Sequence, residues 1–401
     1  MTDPNAGTLL VDQRVEMRLV QLGPFGECLG YYRGNEIAVF GGIPGEKVIA
    51  QIVRLYHNQV SARVVDVTEP SPHRITPDCP YFWPCTGCQW QHIEYPHQLK
   101  LKQLYVETTF SKFPELIGVN VAPPIPSVNQ YSYRNHARFT VGPGGNIGFV
   151  NRITRRFTQI NRCLLMHEKI NGVLNKIQGK CSETTQVAVR VGVNTGDILV
   201  QPAMGNPDLP VSTGQKSYKE MVLDQTFTVA SPSFFQVNTP QIETLINFLK
   251  AHLAPLADKT LVDAYSGVGT FTALLASECK RVIAVEESAS AVRDAKINCD
   301  GHRNVEFYQG KTEHILGRLD DIPDILILDP PRSGCQPGTL DSINQVRPAV
   351  VAYVSCDPAT MARDLAVLVR EAYRIDFVQP IDLFPQTHHI ECVVLLSRFG
   401  S

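Results

Sequence analysis

Apolar and polar positions follow two different periods in the second half of the chain. Apolar runs of strand length occur at 260–264, 281–286, 305–308, 324–328 and 349–354. Between and after these runs, apolar residues recur at helical spacing at 270–277, 289–298, 339–345 and 359–371. Strands that alternate with helices predict a parallel, doubly wound sheet and therefore an α/β fold. The closing stretches 373–381 and 389–397 have no helix between them, so we expect an antiparallel pair at the sheet edge.

The first part of the chain has a different pattern. Between about 11 and 68, short apolar strands alternate with turns such as Gly23-Pro24-Phe25-Gly26, and no stretch has helical spacing. This pattern predicts a small β-barrel, which we assign to residues 8–68. The segment resembles a TRAM domain, an OB-like module of RNA-modifying enzymes. We interpret it as an RNA-contacting unit, with a purely structural cap as the alternative.

A central region separates the two patterns. An amphipathic helix is expected at 97–113, with Lys100, Lys102 and Lys112 on its polar side. Stretches with strand character follow, and we assign residues 69–230 to a central α+β domain. Residues 231–401 then form the catalytic domain. Its first helix is expected to begin at Thr239-Pro240, because proline suits the first helical position.

The composition is that of an ordinary globular protein, with 43% hydrophobic and 19% charged residues among 401. No apolar run is long enough to span a bilayer, and the polar start is not that of a signal peptide, so we expect a cytoplasmic protein with no membrane partner. A formal charge of −2 means that any RNA contact needs a local basic patch. One such stretch, 131–163, has no acidic residue, has interleaved aromatics and contains Arg134, Arg138, Arg152, Arg155, Arg156 and Arg162.

Eleven cysteines without a secretory signal indicate reduced thiols rather than a disulfide framework. Three of them, Cys79, Cys85 and Cys88, share a loop rich in proline and glycine, and Cys163 is the expected fourth ligand. Thiolates bind zinc or iron–sulfur centres. A zinc ribbon usually has two Cys-x-x-Cys pairs, and aromatic residues surround this loop, so we favour a [4Fe-4S] cluster over zinc. The remaining cysteines, apart from Cys356, are expected in the core.

Cys356 follows the apolar run 349–354 and precedes a helix with the sequence Asp357-Pro358 at its start. It therefore lies at the carboxyl end of a predicted strand, where open α/β sheets bind their ligands. The helix N-terminus is expected to favour the thiolate. We predict that Cys356 is a nucleophile, although a small buried hydrophobic role is the ordinary one for a lone cysteine.

The turn after the first strand of this sheet contains Gly267 and Gly269, and Glu286 ends the next strand, where an acid can hold a ribose diol. The third glycine of a dinucleotide fingerprint is absent. The acidic Asp263 precedes the glycines, where it would repel a pyrophosphate and attract a sulfonium. These features favour S-adenosylmethionine over NAD as the cofactor.

A second motif, Asp329-Pro330-Pro331-Arg332, ends a later strand. Enzymes that methylate an exocyclic base nitrogen place an aromatic residue after the two prolines, and RNA cytosine-5 methyltransferases place a cysteine there. This chain has Arg332, and its cysteine comes one strand later, before the stretch 382–393. With these residues the chain resembles the S-adenosylmethionine-dependent RNA 5-methyluridine methyltransferase family over nearly its whole length.

The resemblance implies a TRAM barrel, a central domain with an iron–sulfur cluster in one branch, and a Rossmann-like class I methyltransferase domain. It implies that Cys356 is the nucleophile and that Glu391 removes the C5 proton. The residues expected to contact the cofactor are Gln236, Tyr265, Glu286 and Asp329. The barrel and the cysteine-rich loop together indicate the cluster-bearing branch.

That branch implies a monomer whose partner is RNA, with 23S rRNA favoured over tRNA and no DNA. An RNA-binding protein without catalysis is one alternative, although Cys356, Asp329 and Glu391 are all present. A radical methylthiotransferase is another. It requires a Cys-x-x-x-Cys-x-x-Cys cluster motif, which the spacing of Cys79, Cys85 and Cys88 does not match.

Overall fold

The computed structural model describes residues 9–56 and 59–400. The expected start of the barrel at residue 8 and the polar first residues of the chain lie outside the described residues. Within the described ranges, none of the helices combines the length and the apolar character that a membrane crossing requires.

A closed five-stranded barrel opens the chain, as its pattern predicts, and it fits an OB-like domain. Its strands pair in the order β1-β2-β3-β5-β4. On β1, Val15, Met17 and Leu19 are buried and alternate with exposed neighbours, because successive side chains of a strand point to opposite faces. The five strands are β1 Arg14–Leu22, β2 Cys28–Tyr32, β3 Asn35–Phe40, β4 Lys47–Tyr56 and β5 Gln59–Glu69.

The middle of the chain contains a five-stranded sheet in the order β10-β9-β6-β7-β8, followed by the hairpin β11-β12. Helix α3 packs Ile170, Val173 and Leu174 into the apolar core of this sheet. The strands are β6 His136–Val141, β7 Ile147–Val150, β8 Phe157–Gln159, β9 Gln186–Val191, β10 Ile198–Gln201, β11 Ser217–Val222 and β12 Gln225–Ala230. The helices are α1 Phe82–Cys85, α2 Tyr95–Phe110 and α3 Glu168–Ile177.

The last part of the chain is a seven-stranded sheet in the order β15-β14-β13-β16-β17-β19-β18, with helices between its strands. The first five of these strands pair in parallel and β19 pairs antiparallel with both neighbours, so the predicted sheet and its edge pair are confirmed. The strands are β13 Thr260–Ala264, β14 Arg281–Glu286, β15 Val305–Gln309, β16 Ile325–Leu328, β17 Val350–Ser355, β18 Tyr373–Ile381 and β19 Glu391–Arg398. The helices are α4 Thr239–Leu253, α5 Thr270–Leu275, α6 Ala289–Asn298, α7 Thr312–Leu316, α8 Pro337–Val346 and α9 Pro358–Glu371.

Helix α2 joins the central part of the chain to this sheet through a buried ion pair. Lys102, expected on the polar face of the helix, has no exposed surface, and its Nζ lies 2.6 Å from Oδ1 of Asp382. It also donates to the carbonyl of Phe384. The expectation of a solvated lysine is wrong because Asp382, which is distant in sequence, supplies the counter-charge that makes burial possible.

We expect Lys102→Met to lower the free energy of unfolding by about 3–5 kcal/mol, because it leaves the Asp382 carboxylate buried without its cation. Urea titration followed by circular dichroism measures this. Glu168→Gln is the matched control, because the Arg162–Glu168 pair is 60% and 55% exposed and contributes about 1 kcal/mol or less. Equal losses in the two variants would contradict the proposed importance of burial.

Candidate functional site

The predicted site residues converge at the carboxyl edge of the seven-stranded sheet. The register pairs Ala264 of β13 with Leu328 of β16, and Leu328 with Tyr353 of β17. Tyr265 and Asp329 therefore leave adjacent strands at the same edge, with Cys356 one strand further on. The strand order reverses direction between β13 and β16, which is where open α/β sheets bind ligands.

The turn after β13 is strained and glycine-rich. Tyr265 has a φ of +67°, in the left-handed region that a side chain rarely adopts, and Gly267 and Gly269 have φ values of +55° and +82°. The Gly267 N–H donates to Oε2 of Glu286 over 2.9 Å, and the Ser288 N–H donates to its other carboxylate oxygen. The turn and the end of β14 are thus fixed to each other around one carboxylate.

Asp263 was expected to face a bound cofactor, but the structure places its side chain in the interior. Its side chain is fully buried, and Oδ2 accepts hydrogen bonds from the N–H and the hydroxyl of Thr272, in the first turn of α5. Burial raises the pKa of Asp263 to about 7. The carboxyl group therefore fastens the turn to the helix. Both of these hydrogen bonds come from Thr272, so they do not support the expected position of the Asp263 charge beside a sulfonium.

Cys356 and Glu391 lie beside each other because β17 and β19 are antiparallel neighbours. Ser355 pairs with Cys392, so the residue after β17 lies next to the first residue of β19. Glu391 is 2% exposed, whereas Cys356 is partly exposed. Burial raises the pKa of Glu391 well above its ordinary value, and the negative charge of Asp329 raises it further, while Arg332 opposes both effects. A thiol and a buried carboxyl group with raised proton affinity therefore share one end of the sheet.

The expectation that the helix N-terminus holds Cys356 as a thiolate is wrong. Burial raises the pKa of this thiol to about 12, and the negative charge of Glu391 adds to the effect. The positive end of α9 is already used, because the Asp357 carboxylate accepts hydrogen bonds from the N–H groups of Ala359 and Thr360. Arg332 is the nearby group that lowers the thiol pKa.

The loop between β18 and β19 carries the chain to Glu391, and distant segments hold it. The carbonyl of Gln386 accepts hydrogen bonds from the N–H groups of Gln89 and Trp90, which directly follow the cysteine-rich loop. Tyr133 donates its hydroxyl to the carbonyl of Pro385 over 3.0 Å. Gln98 of α2 donates to Oε1 of Gln386. The central part of the chain therefore supports the loop that positions the carboxyl group.

The four cysteines proposed as metal ligands line one cavity of about 290 Å³. Cys79, Cys85 and Cys88 come from the loop around α1, and Cys163 comes from the segment before α3. Burial raises the pKa of Cys85 to about 12, and the neighbouring Cys163 thiol adds to the effect. Within the described part of the chain, no group of three or more His, Cys, Asp or Glu side chains is arranged around a single metal ion. The structure brings the thiols to one cavity without closing them on one point.

The arginine-rich stretch forms part of the surface next to this cavity. Its exposed members are Arg138, Arg152, Arg155, Arg156 and Arg162. Tyr133 and Phe139, among the interleaved aromatic residues, are buried. These two rings therefore serve packing, and the patch is chiefly one of cationic side chains.

The family model described as tRNA (Uracil-5-)-methyltransferase matches residues 218–399. An uncharacterized RNA methyltransferase of Synechocystis is 30% identical, over 96% of this chain and 95% of its own length. A second one, from Gloeobacter violaceus, is 30% identical over 98% of both chains. The chain belongs to the tRNA (uracil-5-)-methyltransferase family.

The fold of this uracil-5-methyltransferase family member is also that of a solved structure. The tRNA (uracil-54, C5)-methyltransferase of Pyrococcus abyssi, crystallised with S-adenosyl-L-homocysteine, covers 95% of this chain with a TM-score of 0.76 and 22% identity. The likeness covers all of that chain. The α/β methyltransferase architecture with its N-terminal barrel is therefore shown across nearly the whole molecule.

Sequence reasoning missed the residues that support the site of this uracil-5-methyltransferase family member. Lys102, Gln98 and Tyr133 contact the loop before Glu391 through partners more than 250 positions away. The sequence feature that could have indicated these contacts is the polar composition of the stretch 382–389. Buried cysteines outside the two sites are as expected, at Cys28, Cys181, Cys279, Cys299, Cys335 and Cys392.

The raised pKa of the Cys356 thiol predicts how the reactivity of this cysteine depends on pH. With a pKa of about 12, the reactive thiolate fraction grows about tenfold for each pH unit below that value. We expect the rate of Cys356 alkylation by iodoacetamide to rise accordingly between pH 7 and pH 10, as measured by mass spectrometry of the Cys356 peptide. A rate that is already constant near pH 7 would show that the thiol is ionised there.

Proposed function

We propose that the protein transfers a methyl group from S-adenosylmethionine to C5 of a uridine in structured RNA. The observation that carries this proposal is the position of Cys356 beside Glu391 at the carboxyl edge of the sheet, the same edge that carries the glycine turn. A nucleophile and a buried proton acceptor are the two groups that this reaction requires from the protein.

The residues at the edge fit the cofactor. Gly267 lets a ligand approach the turn closely, since a Cβ there would meet no atom within 4 Å, whereas a Cβ at Gly269 would lie 3.1 Å from the Cβ of Ala295 on α6. Glu286 ends β14 with its carboxylate oriented by the turn, where a ribose diol can bind. Tyr265, Asp329 and Gln236 complete the proposed contacts. When bound, S-adenosylmethionine supplies a methyl group activated by its sulfonium.

The roles of the two catalytic residues follow from the chemistry of uracil. Its C5 is a poor nucleophile, but once the Cys356 thiol has lost its proton to solvent, addition of its sulfur to C6 gives an enolate whose C5 can take the methyl group. Glu391 then removes the C5 proton, and the electron pair of that C–H bond reforms the ring double bond as the C6–S bond breaks. The raised pKa of Glu391 increases the affinity of the ionised carboxylate for this proton, so the step requires Glu391 to be ionised when the C5 proton leaves.

The partner proposed is a folded RNA, with 23S rRNA favoured. The barrel and the exposed arginines provide surface beyond the catalytic pocket, which suits a uridine splayed from a structured loop. A specific observation keeps tRNA as the second candidate, since the matching family model and the Pyrococcus abyssi enzyme are both described by tRNA. Incubation with labelled S-adenosylmethionine, unmodified 23S rRNA fragments and tRNA transcripts tests both. Label only in the tRNA T-loop rejects the ribosomal target, and label in neither RNA rejects the proposed function.

The four cysteines fit a [4Fe-4S] cluster as part of this proposal. A single zinc ion needs its sulfur ligands about 2.3 Å from one point, whereas the four irons of a cluster each take a separate thiolate. Four thiols that line one cavity of about 290 Å³ suit the second arrangement. Cys79, Cys85, Cys88 and Cys163 would hold the cluster.

Anaerobically purified protein is therefore expected to be brown, with iron and sulfide in equal amounts. We expect Cys85→Ser to lose the colour and most of the iron, because it removes one ligand. Cys181→Ser is the matched control, since Cys181 is buried in the same part of the chain but does not line the cavity. Colourless protein with stoichiometric zinc would contradict the cluster.

A further inference from the structure

A second cavity, of about 400 Å³, lies where the barrel meets the cysteine-rich loop. Phe25, in the turn between β1 and β2, lines it together with Arg54 and Tyr56 at the end of β4. The opposite wall comes from the cysteine-rich loop and the arginine-rich stretch, with Phe82, Trp83, Thr86, Gln89, Arg152 and Ile153. This cavity is separate from the carboxyl edge of the sheet and has no part in the reaction described above.

The side chains of the cavity suit a flat, uncharged ring. Phe25 and Tyr56 are large aromatic residues that are nevertheless 61% and 57% exposed. The Arg54 guanidinium lies 5.1 Å from the centre of the Tyr56 ring, and Arg152 adds a second cation. The acidic residue in the lining, Glu27, is 3% exposed and accepts a hydrogen bond from the Phe25 N–H. Exposed rings beside arginines are the combination on which single-stranded nucleic acid stacks its bases.

The cavity also adjoins the loop between β18 and β19. The turn that carries Phe25 packs against His388, since a Cβ on Gly26 would lie 2.7 Å from the His388 Cβ. The Gly26 carbonyl accepts a hydrogen bond from the Trp90 indole N–H over 2.9 Å. His388 is three positions before Glu391 in the chain. The turn that carries Phe25 therefore contacts the same loop that leads to Glu391.

We propose that this cavity binds an unpaired base of the substrate RNA, near the target uridine in the same strand. The inference rests on the proposed function for its substrate class. Continuity with the basic surface supports it, because Phe82, Thr86, Cys88 and Arg152 line both this cavity and that of the four cysteines. The base is held between the barrel and the cysteine-rich loop, so that neither part forms the site alone.

The experiment uses the full chain carrying Cys356→Ala, in which the proposed covalent step cannot occur. The probe is a 12-nucleotide single-stranded RNA that contains 2-aminopurine, whose fluorescence falls when it stacks on an aromatic ring. We expect binding with quenching, and adding Phe25→Ala should weaken the Kd by roughly fivefold or more and reduce the quenching, because base–aromatic stacking is lost. The high exposure of Phe25 means that this change leaves the fold intact.

Tyr31→Ala in the same background is the matched control, because Tyr31 is an aromatic residue of the same barrel, 53% exposed, that does not line the cavity. It should leave both the Kd and the quenching unchanged. Equal affinity with and without Phe25, or equal weakening by the two variants, overturns the proposal. Because no methyl transfer is measured, failure here is distinct from failure of the proposed function, which the labelling experiment with rRNA and tRNA detects.

Discussion

Cys356→Ala is expected to abolish methyl transfer and the covalent bond to RNA together. RNA that contains 5-fluorouridine should trap the parent enzyme as a complex stable on denaturing gels, because fluorine at C5 cannot be removed as a proton. The alanine variant has no sulfur to add to C6, so neither the complex nor labelled product should form. Gel electrophoresis and incorporation of labelled methyl groups measure the two effects.

Cys335→Ala is the control for this experiment. Cys335 is 3% exposed, its thiol lies 3.7 Å from the Tyr353 hydroxyl, and it follows closely after the Asp329–Arg332 motif. We expect this variant to retain the trapped complex and product formation. A complex that persists without Cys356, and disappears without Cys335, would reassign the nucleophile.

Glu391→Gln is expected to stop the reaction at a later point. The amide has the same shape but cannot accept the C5 proton, so the methylated base should remain attached to Cys356. Loss of a general base typically slows a reaction by about 10²–10⁴-fold. Mass spectrometry of the enzyme after incubation with RNA and S-adenosylmethionine should show the methylated adduct, which the parent enzyme releases. Product formed at the parent rate would remove Glu391 from the mechanism.

Glu391→Gln also allows a test of how the stability of the folded protein depends on pH. Burial raises the folded-state pKa of Glu391 above its unfolded value, so ionisation at high pH destabilises the fold. Its contribution to stability is present below the unfolded pKa and is lost as pH rises through the folded pKa. Glutamine removes this ionisation, and the melting temperature of Glu391→Gln at pH 8 should be no lower than that of the parent protein.

Local patterns in the sequence predict much of this fold because its periodicities are local. The alternation of strands and helices after residue 260 depends on side chains a few positions apart, and the structure confirms it. The convergence of Tyr265, Asp329 and Cys356 follows equally, because the carboxyl ends of parallel strands meet at one edge. The position of Glu391 required more, namely the antiparallel register of β17 with β19.

The electrostatic environment of individual side chains could not be predicted from such local patterns. Asp263 and Lys102 have charges whose partners are fixed only by the folded chain, at Thr272 in one case and at Asp382 in the other. The pKa of Cys356 depends on burial and on the charges of Glu391 and Arg332, and a helix start in the sequence reveals neither. The three mistaken expectations, for Asp263, Lys102 and Cys356, have the same source, since burial and pairing are properties of the tertiary structure.

The ion pair between Lys102 and Asp382 also bears on how the chain folds during synthesis. The two residues are 280 positions apart, so the lysine is made long before its counter-charge leaves the ribosome. Helix α2 cannot adopt its final buried position at that time without enclosing an unpaired cation. Docking of helix α2 therefore waits for the stretch around Asp382, and the loop before Glu391 is completed among the last steps of folding.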